Sequence, residues 1–242
     1  MFIVKNDKIN ICLKKIIKII KLLVCCGGNM NLFVIGDVHG CYLEFKKLIE
    51  EHWNSKDELL IQVGDLIDRG SFSPKTVEYC RGLKEQFPSN VVFLKGNHEF
   101  EIIYHFLNEP NENWLRQCGY ETLEQYKSEN KKPIEDVNWF LTLPLYWENE
   151  NIFISHAGVS EIALNCFEET DFHGVLWNRG KIKNINKLQI IGHTPCENSE
   201  PIYNEEENSL NIDTGAGYKD GVLTGVKLNE KGEILKIIKI NT

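Results

Sequence analysis

The chain has 242 residues, 42% of them hydrophobic, and a formal net charge of −8. That apolar content can bury one sizeable core, and it excludes a disordered, collagen-like or coiled-coil chain. The acidic balance lacks the basic stripe of a nucleic-acid binder, so no specific nucleic-acid binding is expected.

Charge is unevenly spread. Residues 1–29 hold six Lys against one Asp, a charge of +5, so the remainder carries −13 to reach the total of −8. Segment 9–26, INICLKKIIKIIKLLVCC, sets Lys14, Lys18 and Lys21 on one helical stripe, with Lys15 to one side and Ile, Leu and Val opposite. The pattern is cationic and amphipathic, and its lysines interrupt any membrane span. Two readings stand for residues 1–29. One is a dispensable extension ahead of a domain that starts at Met30. The other is a membrane-surface anchor, with peripheral contact through residues 9–26 and Cys25 and Cys26 as acylation candidates. Lysines inside the apolar stretch rather than before it disfavour export. Eight cysteines without a Cys-x-x-Cys pair argue against a thiolate zinc site, and for reduced thiols in a cytoplasmic protein.

Residues 31–35 (NLFVI) read as a strand, 42–53 as a helix with apolar positions at 42, 45, 48, 49 and 53, and 58–63 (ELLIQV) as the next strand. Residues 73–87 read as a helix with Ser73 as N-cap and Pro74 in the first position, followed by a third strand at 90–95. This alternation implies parallel strands covered by helices. Residues 99–142 look helical, with breaks at Pro110, Gly119 and Pro133. Further strands are predicted at 145–148, 152–155, 188–191, 209–213, 222–228 and 233–240, with turn signals at 149–151, 220–221 and 231–232. They predict a second, mostly antiparallel sheet. The class is α/β, with residues 30–242 as one domain. Residues 197–208 hold five Glu and read as a solvated hairpin tip; Trp114, Trp139 and Trp147 read as core or cap packing.

Chemistry-bearing residues follow the strands. The first strand runs into Gly36-Asp37-Val38-His39-Gly40, the second into Gly64-Asp65-Leu66-Ile67-Asp68-Arg69-Gly70, the third into Gly96-Asn97-His98-Glu99. Later strands run into Ser155-His156-Ala157-Gly158 and Gly192-His193-Thr194. Strand carboxyl ends are where open parallel sheets bind ligands. Carboxylate and imidazole groups suit divalent manganese, iron or zinc. Two such ions about 3.5–4 Å apart activate a bridging water and neutralise an in-line phosphoryl displacement. One such loop alone is usually a turn; five in order are not.

The ordered set GDVHG (36–40), GDLIDRG (64–70) and GNHE (96–99) resembles the phosphoprotein phosphatase branch of the calcineurin-like metallophosphoesterases. WLRQCGYETLEQY (114–126), LPLYWENENIFISHAGV (143–159), VLWNRG (175–180), IGHTP (191–195) and IDTGAGYKDGVLTGVKL (212–228) resemble its bacterial and phage lambda-type members. The resemblance implies two facing mixed β-sheets flanked by helices, with the metal site at strand C-terminal ends. It implies two divalent ions, with manganese usual among bacterial members and iron and zinc fitting the same ligands. One ion falls to Asp37, His39 and Asp65; the other to Asp65, Asn97, His156 and His193. His98 matches the proton donor to the leaving oxygen, and Asp68 the carboxylate that orients it. Arg69 and Arg179 match the phosphate clamp, a bidentate task for guanidinium. Asp213-Thr214-Gly215 with Tyr218 matches a segment near the site, either as support for the ligands or as a strand-end turn.

The implied activity is hydrolysis of phosphomonoesters on a phosphorylated protein or peptide, serine/threonine-type, with phosphotyrosine a further substrate. The alternative is diadenosine tetraphosphate or another nucleotide phosphoester. Symmetrical diadenosine tetraphosphate hydrolases typically carry Ala at the position of Asp68 and end the third block in Asp. The tyrosine-cysteine motif of eukaryotic signalling phosphatases is replaced here by DTGAGY.

Overall fold

The computed structural model describes residues 30–242, and the readings of residues 1–29 lie outside the described residues. In chain order come β1 (Asn31–Ile35), α1 (Tyr42–His52), β2 (Glu58–Gln62), α2 (Ser73–Gln86), β3 (Val91–Phe93) and α3 (Asn97–Leu107). The Asn111 side chain accepts the N–H of Trp114 and opens α4 (Glu112–Trp114), which continues through a π turn (Leu115–Gly119) into α5 (Tyr120–Ser128). Pro133 opens α6 (Pro133–Phe140). Then follow β4 (Tyr146–Glu148), β5 (Ile152–Ser155), β6 (Leu188–Ile191), β7 (Ile202–Asn204), β8 (Ser209–Asn211), β9 (Val222–Leu228) and β10 (Ile234–Asn241).

The strands form two five-stranded sheets, ordered β10-β9-β1-β2-β3 and β4-β5-β6-β8-β7. Successive side chains on a strand point to opposite faces, and β1 shows what that does here. Phe33 and Ile35 enter a core with Phe45, Val77, Ile102 and Phe140 from the helices. Leu32 and Val34 instead meet Ile154, Ile190 and Leu210 of the second sheet. The two sheets therefore face each other, and helices cover the outer face of the first. This is the expected α/β architecture.

Four expectations are corrected. The second sheet is mixed: β5, β6 and β8 run parallel, and only the outer strands β4 and β7 are antiparallel. A hairpin cannot join parallel neighbours, and the long excursion between β5 and β6 supplies the crossover instead. The β9–β10 hairpin pairs with β1 and belongs to the first sheet. Gly119 does not break the helix; the chain widens there and continues. Ser73 is the first residue of α2, not its cap, and its Oγ accepts the N–H of Asp68 at 3.0 Å. The exposed strand β7 is an addition the sequence pattern did not signal. Glu205, Glu206 and Glu207 sit in the β7–β8 turn, as a solvated hairpin tip should. The five described cysteines are free thiols. Among the described residues no helix is long and apolar enough to cross a membrane.

Candidate active site

Because β1, β2 and β3 are parallel, the loops that follow them emerge at one edge. The turns after β5 and β6 meet them there, burying Asp37, His39, Asp65, Asn97, His156 and His193 together. The loops are tight enough to force unusual backbone. His39 (φ 45), Asp65 (φ 59), Asp68 (φ 74), Arg69 (φ 66) and His193 (φ 72) all lie in the left-handed region, costly for residues with a Cβ. Two motif glycines have a steric reason. A Cβ on Gly192 would strike Asp37 Oδ1, and one on Gly96 would strike Asp65 Oδ1.

Three imidazoles each commit one ring nitrogen to a backbone carbonyl. His39 Nδ1 lies 3.0 Å from Ile67 O, His156 Nδ1 3.2 Å from Val63 O, and His193 Nε2 3.2 Å from Trp177 O. Donation to those carbonyls fixes each tautomer and leaves the other nitrogen's lone pair facing inward, the arrangement of metal-ligating histidines. The inward atoms converge. Asp65 Oδ2 is 3.6 Å from His39 Nε2 and 3.4 Å from His156 Nε2. Asn97 Oδ1 is 3.0 Å from His156 Nε2 and 2.8 Å from His193 Nδ1. Ligating atoms of Asp65, His156 and His193 all lie within 4.8 Å of one another, as do those of His39, Asp65 and His98. Asp65 is common to both groups. Asp37 borders them, its carboxylate accepting the N–H of His193 at 3.1 and 3.3 Å.

The electrostatics point the same way. Burial, then the nearby carboxylates Asp213 and Asp65, pushes Asp37 well above the ordinary carboxylate range. Burial and the charge of Asp65 raise Asp213 to about 6. Burial and the charge of His98 drive His39 down to about 3; burial and His156 drive His193 to about 2, so both are neutral donors. Buried carboxylates facing imidazole lone pairs suit a cation, and this oxygen and nitrogen set could hold divalent ions.

His98 differs from the other three. Its Nδ1 meets Asp68 Oδ2 at 2.5 Å, and Arg69 Nη2 lies 3.1 Å from its Nε2. Burial opposes a charge on His98, but Asp65 and Asp68 outweigh it and raise the imidazole well above its ordinary range. Burial would likewise raise Asp68, but the hydrogen bond and charge of His98, with Thr122 and Trp114, hold it low. An imidazolium beside an anion is suited to giving a proton. The Arg69 guanidinium packs 4.6 Å from the Tyr218 ring centroid. Arg179 is exposed, with Nη1 3.1 Å from Thr194 Oγ1.

Sequence reasoning missed several supporting groups. Glu99, the last letter of the third block, accepts the N–H groups of Asp65 (2.9 Å), Leu66 (2.8 Å) and Gly96 (2.8 Å). It ties the second loop to the third. Glu99→Ala would orphan three buried donors, each worth about 1–3 kcal/mol, so a loss of roughly 3 kcal/mol or more in urea unfolding is expected. Trp114, read as core packing, is buried but also donates from Nε1 to Asp68 Oδ2 at 2.8 Å. Its spacing carried no sign of that second task.

The family model for calcineurin-like phosphoesterases matches residues 30–223. The chain belongs to this family. As a calcineurin-like phosphoesterase it is a metallophosphoesterase, and its relatives divide by substrate. It is 29% identical over 203 residues to serine/threonine-protein phosphatase 1 of Salmonella typhimurium, covering 78% of this chain and 88% of that one. It is 30% identical over 236 residues to the asymmetrical bis(5'-nucleosyl)-tetraphosphatase of Geobacillus sp. (strain WCH70), covering 83% and 91%. The chain spans only 45% of the length of a symmetrical bis(5'-nucleosyl)-tetraphosphatase of Buchnera aphidicola. Among solved structures, a protein serine/threonine phosphatase from Saccharomyces cerevisiae superposes with a TM-score of 0.64 at 17% identity, over 88% of this chain and 79% of that one.

Proposed function

We propose that this phosphoesterase is a dinuclear-metal phosphomonoesterase, acting as a serine/threonine-type protein phosphatase through residues 30–242. The observation that carries it is the position of Asp65 Oδ2, between the inward nitrogens of His39 and His156 at 3.6 and 3.4 Å. Asp37, His39 and Asp65 would hold one ion, and Asp65, Asn97, His156 and His193 the other. Bound there, two divalent ions, with manganese our choice, supply an activated water and neutralise charge at phosphorus. The chain's own groups do the rest. Arg69 and Arg179 grip the phosphate oxygens. His98 gives its Nε2 proton to the leaving oxygen, and Asp68 holds its opposite nitrogen.

The acid pair favours a monoester of an alcohol. A serine or threonine alkoxide is a poor leaving group and needs a proton, whereas a polyphosphate leaves as a stable anion and gains little from one. The acidic body, −13 outside residues 1–29, also disfavours a polyanionic dinucleotide. The second reading, dinucleoside polyphosphate hydrolysis, is supported by the Geobacillus relative. Manganese-loaded full-length protein is expected to hydrolyse a phosphothreonine peptide with at least about tenfold higher kcat/KM than diadenosine tetraphosphate, a difference near 1.4 kcal/mol. The reverse preference would make it a nucleotide hydrolase. Release from neither, nor from an aryl phosphate, would sink the phosphatase assignment.

A further inference from the structure

The acid pair is gripped from a part of the chain that carries no metal loop. Asp68 is fully buried, and both its oxygens receive a donor from the helical segment running from α4 through the π turn to α5. Trp114 Nε1 donates to Oδ2 at 2.8 Å, and Thr122 Oγ1 donates to Oδ1 at 2.5 Å. Between them, Cys118 sets its Sγ 3.8 Å from His98 Nδ1. These residues are spaced four apart. In a regular α-helix, at 3.6 residues per turn, residues eight apart are rotated by roughly 80°, too far to converge on one carboxylate. The π turn at Leu115–Gly119 removes that drift and presents Trp114 and Thr122 on one side. Gly119 completes the arrangement, because a Cβ there would come within 2.7 Å of the Trp114 ring.

We infer that Trp114 and Thr122 are positioning residues for proton donation: held by them, Asp68 keeps one lone pair aimed at His98 Nδ1, so that His98 Nε2 carries the proton given to the leaving group. The inference rests on the phosphomonoesterase assignment above. A buried carboxylate needs donors whatever its task. A purely structural role would therefore affect all substrates alike. A positioning role affects only those that need the proton.

The test uses full-length protein with manganese and the variants Thr122→Val, which keeps side-chain volume, Thr122→Ser, which keeps the hydroxyl, and Trp114→Phe, which keeps an aromatic ring. On phenyl phosphate, a poor leaving group, kcat of Thr122→Val and Trp114→Phe should fall about tenfold or more, and on 2,4-dinitrophenyl phosphate by less than about twofold. KM should hold, and Thr122→Ser should restore the wild-type rate. Equal loss on both esters, or loss on neither, would overturn the proposal. A second readout needs no turnover and uses full-length protein loaded with diamagnetic zinc, because paramagnetic manganese would broaden the signal away. The far-downfield proton NMR signal of the His98–Asp68 hydrogen bond, identified by its disappearance in His98→Asn, should move upfield in Thr122→Val and Trp114→Phe. An unmoved signal in both would equally overturn it. Wild-type protein inert toward both esters would refute the phosphomonoesterase assignment, and the NMR signal would still decide the positioning role.

Discussion

Asp65→Asn is expected to lower phosphopeptide turnover by about 10³-fold or more and to take bound metal from two ions per chain to fewer than one. The size follows from charge. Ion stabilisation of a phosphoryl transition state is worth several kcal/mol, and each 1.4 kcal/mol is tenfold in rate. The change is nearly isosteric, and a side-chain oxygen can still accept the N–H of His98, which lies 3.0 Å from Asp65 Oδ1. What is lost is the anionic Oδ2 that His39 and His156 both approach. An amide turned to these nitrogens presents N–H groups where an ion needs a lone pair. Metal analysis and activity on one sample, with circular dichroism for folding, check this. Two ions retained per chain would show that Asp65 is not needed to hold them. Asp37→Asn should be milder on metal content, because Asp37 lies at the border of the cluster and its carboxylate already accepts the backbone N–H of His193.

Much of the site was legible because a strand end is a local object. Apolar runs followed by Gly-Asp, Gly-Asn-His or Ser-His announce both the strand and the loop, and β1, β2, β5 and β6 lie where those runs place them. Which sheet a strand joins is not local. β9 and β10 follow the second sheet in sequence yet pair with β1, because the register from Leu32–Leu228 to Ile35–Gly225 puts Val226 and Leu228 into the layer between the sheets. The groups that support the site were hidden for a related reason. Glu99 reads only as the end of the third block, Trp114 as core or cap packing, and Thr122 only as part of the segment 114–126; their partners lie tens of positions away in sequence. The carbonyls of Val63, Ile67 and Trp177 that orient the histidines leave no mark on side-chain identity at all. Ligand type can be read from residues, but ligand orientation is set by backbone geometry.

His98→Asn separates acid from ligand. Geometry alone leaves the choice open, since His98 Nε2 is 3.8 Å from Asp65 Oδ2 and His98 belongs to two compact groups of potential ligands, with His39 and Asp65 and with Asp68 and Cys118. Its partners decide it. His39, His156 and His193 each turn one ring nitrogen to a neutral carbonyl and the other inward, but His98 Nδ1 lies against the ionised Asp68 at 2.5 Å, which favours imidazolium. The Asn variant should therefore keep its metal. Turnover of phenyl phosphate or a phosphothreonine peptide should fall by about 10²–10⁴-fold, the usual range for losing a general acid. On 2,4-dinitrophenyl phosphate, whose leaving group departs unprotonated, the loss should be far smaller. A plot of log kcat against leaving-group pKa should steepen in the variant. Loss of metal with uniform loss of rate across the series would instead make His98 a ligand, and Asp68 the carboxylate that orients it for that purpose.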